Sequence, residues 1–322
     1  MAKPARILFV IMDNYSDHID ISVHQSGSVA SRMLDNTTTG YIAAVFKSSF
    51  YVESDAGFVC IGNEDFEPAP LNLITEAPAG TDWSASGLQC HDKVNVFTHT
   101  IKVGNRFFFR LSNATKWSPD PISEHWTAND LKHGLRSFRE ASAGHVPADG
   151  LGQFLFSECG PFNDQPVCRA AEKPIAQLQG WLKAKLRNPR NRVEPSWASI
   201  QSLIGLGPGL TPSGDDFVGG MMLALHSLNE PNICIELWAN VKEYAAQASN
   251  PISFAHLNTA SEGKGRASIH QAISAMLDRC PGSILKSIPC INRIGHTSGW
   301  DTMAGVIVAL DIWQQAQDIK IN

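Results

Sequence analysis

The chain has 322 residues, of which 43% are hydrophobic and 18% charged, and its formal net charge is −5. This composition supports a sizeable core in one large or two ordinary domains and excludes global disorder. The acidic balance, without a basic tract, argues against a nucleic-acid or membrane-surface protein. The seven cysteines are widely spaced and form no C-x-x-C pair, so free thiols in a cytoplasmic protein are expected.

The first third of the chain has the pattern of a β-rich domain. The apolar run Ile7 to Met12 is too short for a membrane span and predicts a strand. Short β-branched and aromatic runs follow at YIAAVF, SSFYV and GFVCIG. The clearest hairpin has alternating residues from Val94 to Thr98, a Gly104-Asn105 turn and a returning strand from Arg106 to Leu111. A Pro- and Ser-rich stretch then ends a predicted domain over residues 1–120.

The rest of the chain, residues 121–322, has the pattern of a mostly helical domain. Apolar residues from Leu131 to Phe138 fall at helical spacing, with Thr127 as the predicted N-cap. A stripe from Ile175 to Leu186 predicts another helix, with Pro174 in its first turn. Further helices are predicted at Ser213 to His226, Ile233 to Gln247, Ser268 to Leu277 and Ser298 to Gln315. The predicted fold class is therefore α+β.

One loop–helix unit occurs twice in the helical domain. SGDDFVGGMMLAL and SGWDTMAGVIVAL align without gaps, within repeat blocks at residues 205–225 and 295–310. The copies share Ser213 with Ser298, Gly214 with Gly299, Asp216 with Asp301, and Gly220 with Gly305. The Ser-x-x-Asp spacing predicts a capping box at the start of each helix. Because a mid-helix glycine costs about 1 kcal/mol against alanine, we expect the two helices to cross at the second glycine of each copy.

Capping and close packing explain much of the repeat without any chemistry. They do not account for the glycine- and proline-rich sequence GLGPGLTPSGDDF, residues 205–217, or for its second carboxylate, Asp215. A glycine-rich loop that enters a helix N-terminus aims several backbone N–H groups at one point, which favours an anion site. The P-loop is excluded, because Asp215 and Asp216 stand where it requires Lys and then Ser or Thr.

We therefore expect a site for a small anion, shared between the two loops. The expected anion-binding residues are Gly207, Gly209, Thr211, Ser213, Gly214, Lys264, Arg266, His296, Thr297, Ser298 and Gly299. The catalytic candidates are Asp215, Asp216 and Asp301: the last two shape the loops, and Asp215 orients a metal or accepts a proton. The negative charge of the aspartates requires a balance. Either a magnesium ion on Asp215 or Asp301 supplies it, or the basic residues named above do.

The repeat blocks resemble a known family. GLGPGLTPSGDDFVGG is similar to the signature of the AllH family, which includes a subunit of bacterial oxamate carbamoyltransferase. SFAHLNTASEGKG and GHTSGWDTMAG are similar to the family's second and third blocks, although His296 departs from the third. The resemblance is strong from about residue 200 onwards and weak over the β-rich third. Some family members carry the label putative carboxylase.

The resemblance implies a role in purine or allantoin catabolism, in which oxalurate and phosphate interconvert with oxamate and carbamoyl phosphate. It also implies other subunits and a small anionic substrate as partners. We expect an enzyme subunit for carbamoyl or related group transfer that acts mainly by positioning and charge stabilisation. A non-catalytic structural or ligand-sensing subunit is a second hypothesis, because no base–nucleophile pair is visible. A magnesium-dependent carboxylase or hydrolase, with three converging aspartates, is a third.

Overall fold

The computed structural model describes residues 18–123, 125–156, 165–188 and 194–321. It divides into two compact units, residues 1–118 and 119–322. Strands make up most of the regular structure in the first unit and helices that of the second. The predicted α+β fold class is therefore confirmed. The strand predicted at Ile7 to Met12 lies outside the described residues.

A single nine-stranded sheet forms the described part of the N-terminal unit. Its elements are β1 (Ile19–Gly27), α1 (Ser28–Leu34), β2 (Thr39–Val45), β3 (Ser49–Ser54), β4 (Gly57–Gly62), β5 (Asn72–Thr75), β6 (Lys93–Phe97), β7 (Thr100–Val103), β8 (Phe107–Arg110) and β9 (Thr115–Trp117). The strand order is β5-β4-β3-β2-β6-β7-β8-β1-β9, and β5 also pairs with β1, so the sheet closes on itself. Closure leaves few unpaired strand edges.

The predicted two-stranded hairpin contains three strands, β6, β7 and β8. The chain already turns at Thr98-His99, so that β6 and β7 pair antiparallel with Val96 opposite Ile101. It turns again at Gly104, which has a φ of 57°, as the sequence predicts. The first turn contains neither glycine nor proline, and the apolar alternation continues on both sides of it. The usual turn signals were therefore missing.

Helices form the C-terminal unit in its described part. They are α2 (Ala128–Ser142), α3 (Pro166–Arg187), α4 (Trp197–Gln201), α5 (Ser213–Ser227), α6 (Pro231–Ala248), α7 (Pro251–Ser261), α8 (Ala267–Leu277), α9 (Pro281–Ile291) and α10 (Ser298–Ile321). Thr127 caps α2 as predicted, in a capping box with Asp130. The predicted start of α3 is wrong, because Pro166 occupies its first turn and Pro174 lies inside the helix. Within the described ranges, no helix is both long and apolar enough to cross a membrane.

The two repeat helices, α5 and α10, cross at their glycines. A Cβ atom on Gly220 would lie 1.9 Å from the carbonyl oxygen of Thr302. A Cβ atom on Gly305 would lie 1.8 Å from the carbonyl oxygen of Phe217. Any side chain larger than hydrogen would therefore hold the two backbones apart. This confirms the predicted crossing and places both helices in the core of the unit.

Candidate functional site

Both repeat helices begin with the same local structure. The N–H of Gly214 donates to the carbonyl oxygen of Leu206 at 2.9 Å, and the N–H of Gly299 donates to that of Ile294 at 3.0 Å. A Cβ atom on these glycines would lie 1.9 Å and 2.2 Å, respectively, from a carbonyl oxygen of the preceding turn. Glycine is therefore required here by packing. Because both N–H groups are engaged, the prediction that Gly214 and Gly299 donate them to an anion is corrected.

The predicted capping box is wrong for α5. The N-cap of this helix is Pro212, and no side chain caps it. Ser213 is the first helical residue, and α10 likewise begins at Ser298. A residue inside the first turn cannot also cap it from outside. The two serine hydroxyls are therefore available for contacts with the other repeat.

The two loops meet through these hydroxyl groups. Thr211 Oγ1 lies 2.9 Å from Ser298 Oγ, which joins the first loop to the start of the second helix. Ser298 also forms a hydrogen bond with Asp216 of the first repeat. Ser213 forms the equivalent hydrogen bond with Asp301 of the second repeat. Each repeat thus supplies the hydroxyl that faces the carboxyl group of the other.

Burial raises the pKa of both repeat aspartates. The pKa of Asp216 lies well above its ordinary value because burial desolvates the carboxylate and Asp301 adds negative charge, while Arg266 opposes the shift. Burial also raises the pKa of Asp301, although a 2.5 Å hydrogen bond from the Leu151 N–H lowers it in part. In the described part of the chain, Oδ2 of each aspartate is buried without a hydrogen-bond partner. These surroundings favour the protonated form of Asp216.

The raised pKa of Asp216 predicts a pH-dependent stability. The folded state holds a proton that the unfolded chain releases above an aspartate pKa of about 3.9. The resulting stabilisation is therefore complete at lower pH and is lost as pH rises through the folded pKa, with a slope of up to about 1.4 kcal/mol per pH unit. We expect Asp216→Asn to gain stability relative to wild type between pH 5 and pH 8 in urea unfolding. Asp65→Asn makes the same change at an exposed position and is the control. The prediction would be contradicted if wild type and Asp216→Asn lost the same stability as pH rises.

A cavity of about 470 Å³ opens between the two loops, and we call it the loop cavity. It is lined by Asp149, Gly150, Gln165, Val167, Pro208, Gly209, Leu210, Thr211, Ser213, Gly295, His296, Thr297 and Ser298. Three helices, α3, α5 and α10, begin at its wall, because Gln165 is the N-cap of α3. Helix N-termini carry partial positive charge. The volume is within the range of small-molecule sites.

The structure brings together only part of the predicted anion-binding set. The predicted residues that line the loop cavity are Gly209, Thr211, Ser213, His296, Thr297 and Ser298. Gly207 is not a lining residue and has a φ of 111°, which favours glycine at this turn. Lys264 is paired with Glu262 at 2.7 Å and does not line the cavity. Arg266 acts on Asp216 from outside the cavity lining.

Asp215, a predicted catalytic residue, is hydrogen-bonded within the first loop and does not line the loop cavity. Its side chain is buried and accepts hydrogen bonds from the Gly205 N–H and the Ser253 hydroxyl, each at 2.7 Å, and from the Ser249 hydroxyl. These bonds tie the first loop to the start of α7. Among the described residues, no group of three or more His, Cys, Asp or Glu side chains is arranged to hold a metal ion. Asp215 and Asp301 both act on Asp216, but the three aspartates are not arranged there as metal ligands.

The turn that carries Asp149 and Gly150 was not predicted from the sequence as part of the site. Gly150 has a φ of 76°, and a Cβ atom there would lie 2.5 Å from Oδ1 of Asp301. The Leu151 N–H donates to the same oxygen. Asp149 Oδ2 in turn lies 3.6 Å from His296 Nε2. An Asp-Gly pair is an ordinary turn signal, and nothing in its spacing connects it with the repeats.

Comparison with known proteins covers both units. A model of the AllH family N-terminal domain matches residues 19–116, where the sequence resemblance is weak. A model described as oxamate carbamoyltransferase subunit AllH matches residues 203–310, which include both repeat loops. The two matches together cover more than half of the chain. No solved structure matches it. The chain therefore belongs to the AllH family, whose description is that of an oxamate carbamoyltransferase subunit.

Proposed function

We propose that this chain is a carbamoyltransferase subunit that binds a small anionic substrate, of the oxamate, oxalurate or carbamoyl phosphate type, in the loop cavity. The observation that carries this proposal is that both glycine-rich loops line one cavity and touch through Thr211 and Ser298. Helix N-termini and hydroxyl groups suit the oxygens of a carboxylate or phosphate. The family description supports the carbamoyltransferase context.

Charge balance determines whether an anion enters the loop cavity. Its described lining contains one carboxylate, Asp149, and one basic side chain, His296, which lie 3.6 Å apart. The raised pKa of Asp216 removes a negative charge from beside the loops, and Arg266 adds a positive one. We infer that protonation of Asp216, together with the positive charge of Arg266, lowers the negative charge at the site enough for an anion to bind without a divalent ion.

The same arrangement suggests a path for a proton. Carbamoyl transfer from oxalurate to phosphate breaks a carbon–nitrogen bond, and the departing oxamate nitrogen must gain a proton. Ser298 lines the loop cavity and is hydrogen-bonded to Asp216, whose surroundings favour the acid form. In the proposed reaction Asp216 supplies the proton through the Ser298 hydroxyl, which acts as a relay, and regains one that the attacking hydrogen phosphate loses. The partial positive charge at the starts of α5 and α10 stabilises the charge that develops on the carbonyl oxygen.

Calorimetric titration tests the proposed anion site. We expect at least one of phosphate, carbamoyl phosphate, oxamate and oxalurate to bind the wild-type chain. Ser298→Ala should weaken that binding by about tenfold or more, because it removes one hydrogen bond to a charged ligand. Ser274→Ala, on α8 and outside the cavity lining, is the matched control and should bind as wild type does. Addition or chelation of magnesium should leave the affinity unchanged.

Other outcomes would favour the alternatives. Failure of all four ligands to bind a folded wild-type chain would contradict the anion site. Binding that requires magnesium would favour a metal-dependent carboxylase or hydrolase, with the ion at Asp216 and Asp301. Binding without turnover, even with the other subunits present, would favour a ligand-sensing subunit.

A further inference from the structure

The N-terminal unit contains a second cavity, of about 480 Å³, that the proposed function does not use. We call it the N-terminal cavity. It lies between the end of α1 with its following turn (residues 34–38), the β6–β7 turn (residues 96–99) and the β8–β9 connection (residues 111–114). Its volume is within the range of small-molecule sites.

Several polar side chains of this cavity have unused hydrogen-bonding capacity. Ser26 and Ser31 are satisfied, since their hydroxyls bond to each other at 2.8 Å. Thr37 donates to the carbonyl oxygen of Met33 at 2.9 Å. Other lining side chains form no hydrogen bond or ion pair with a described residue: Asp35, Thr38, Thr98 and His99. All four are exposed and hydrated, and a ligand in the cavity would replace that water.

The charge of the cavity selects the class of ligand. Asp35 is the one carboxylate in its described lining, which includes one imidazole, His99, and neither lysine nor arginine. A carboxylate repels anions and attracts cations. Val96 and Leu111 provide apolar wall, and the ring of Phe97 is 58% exposed. An exposed aromatic face also attracts cations.

We propose that the N-terminal cavity binds a small organic cation, a primary ammonium or guanidinium group on a short apolar body. Asp35 is its counter-ion, and the hydroxyls of Thr38 and Thr98 accept its remaining N–H donors. An ammonium group has three donors and no acceptor, which matches this acceptor-rich lining. The apolar body of the ligand lies against Val96 and Phe97.

Calorimetric titration of the full chain with butylammonium, butanol and butyrate tests this proposal. The three probes share an apolar body and differ in charge. We expect butylammonium to bind about tenfold or more tightly than the other two, and Asp35→Asn to remove that preference. Phe97→Ala should weaken binding several-fold through the lost ring contact. Asp65→Asn makes the same charge change at an exposed site outside the cavity and should have no effect.

Any of three results would overturn the proposal. They are equal affinity for the three probes, equal butylammonium affinity of Asp35→Asn and Asp65→Asn, and no binding of butylammonium at about 10 mM. Because Asp35 and Phe97 are exposed, both variants are expected to fold, and circular dichroism checks this. N-acetyllysine methylamide, titrated in parallel, identifies the source of the cation. If the methylamide binds more weakly than butylammonium, the cation is a free molecule. If it binds more tightly, the cation is a side chain of another protein. Either result supports the cation class.

Discussion

Gly220→Ala is expected to lower the free energy of unfolding by about 3 kcal/mol or more, and Gly305→Ala by a similar amount. The added methyl group would lie 1.9 Å from the Thr302 carbonyl oxygen in the first variant and 1.8 Å from that of Phe217 in the second. These contacts are with backbone in the centre of a helix crossing, so neither atom can move without separating the two helices. Urea unfolding of each variant measures the loss.

Gly180→Ala provides the matched control for these variants. Gly180 also lies inside a helix, α3, but a Cβ atom there meets nothing within 4 Å. Alanine should therefore stabilise α3, by up to about 1 kcal/mol. If Gly220→Ala had the same effect as Gly180→Ala, the close crossing would be wrong. The double variant at Gly220 and Gly305 should cost less than the two single losses together, because the first methyl group already opens the crossing.

Asp215→Ala is expected to lower the free energy of unfolding by about 3 kcal/mol, since it leaves buried donors without an acceptor. The donors are the Gly205 N–H and the hydroxyls of Ser249 and Ser253. Urea unfolding measures the loss, and Asp120→Ala, an exposed change in the same unit, should leave stability nearly unchanged.

The same Asp215 variant separates a structural role from a catalytic one. Under conditions where it remains folded, its affinity for the anion that binds wild type should stay within a few-fold, because the side chain does not line the loop cavity. A variant of wild-type stability that no longer binds the anion would instead restore the catalytic role expected from the sequence.

The parts of the fold that depend on local periodicity were predictable from the sequence. Thr127 and the apolar stripe after it gave the start of α2, and the repeat gave both the helices and their crossing. Other helices escaped prediction for physical reasons. In α9, Pro289 lies inside the helix, where proline ordinarily argues against one. In α7, apolar residues are not confined to one face, so the sequence lacks a clear periodic stripe.

The candidate site was predictable only in outline. The repeat indicated that the two loops belong together, but not that Ser213 and Ser298 exchange contacts with the aspartate of the other copy. Short-range spacing favoured a capping box, whereas the fixed backbone of Pro212 takes the N-cap position instead. The place of Asp149 in the site could not be predicted for a different reason. Its position depends on a contact with His296, far along the chain, which no local pattern encodes.

The crossing of α5 and α10 is reciprocal, and this has a consequence for the loop cavity. Gly220 rests on Thr302 and Gly305 rests on Phe217, and these four residues form two pairs of equivalent positions in the aligned copies. The two helices therefore contact each other through the same surface, as the subunits of an isologous two-fold dimer do. Two separate copies of such a loop–helix unit would pair through this surface in the same way. The two loops differ in sequence, so a symmetric helix crossing presents two unlike walls to the loop cavity.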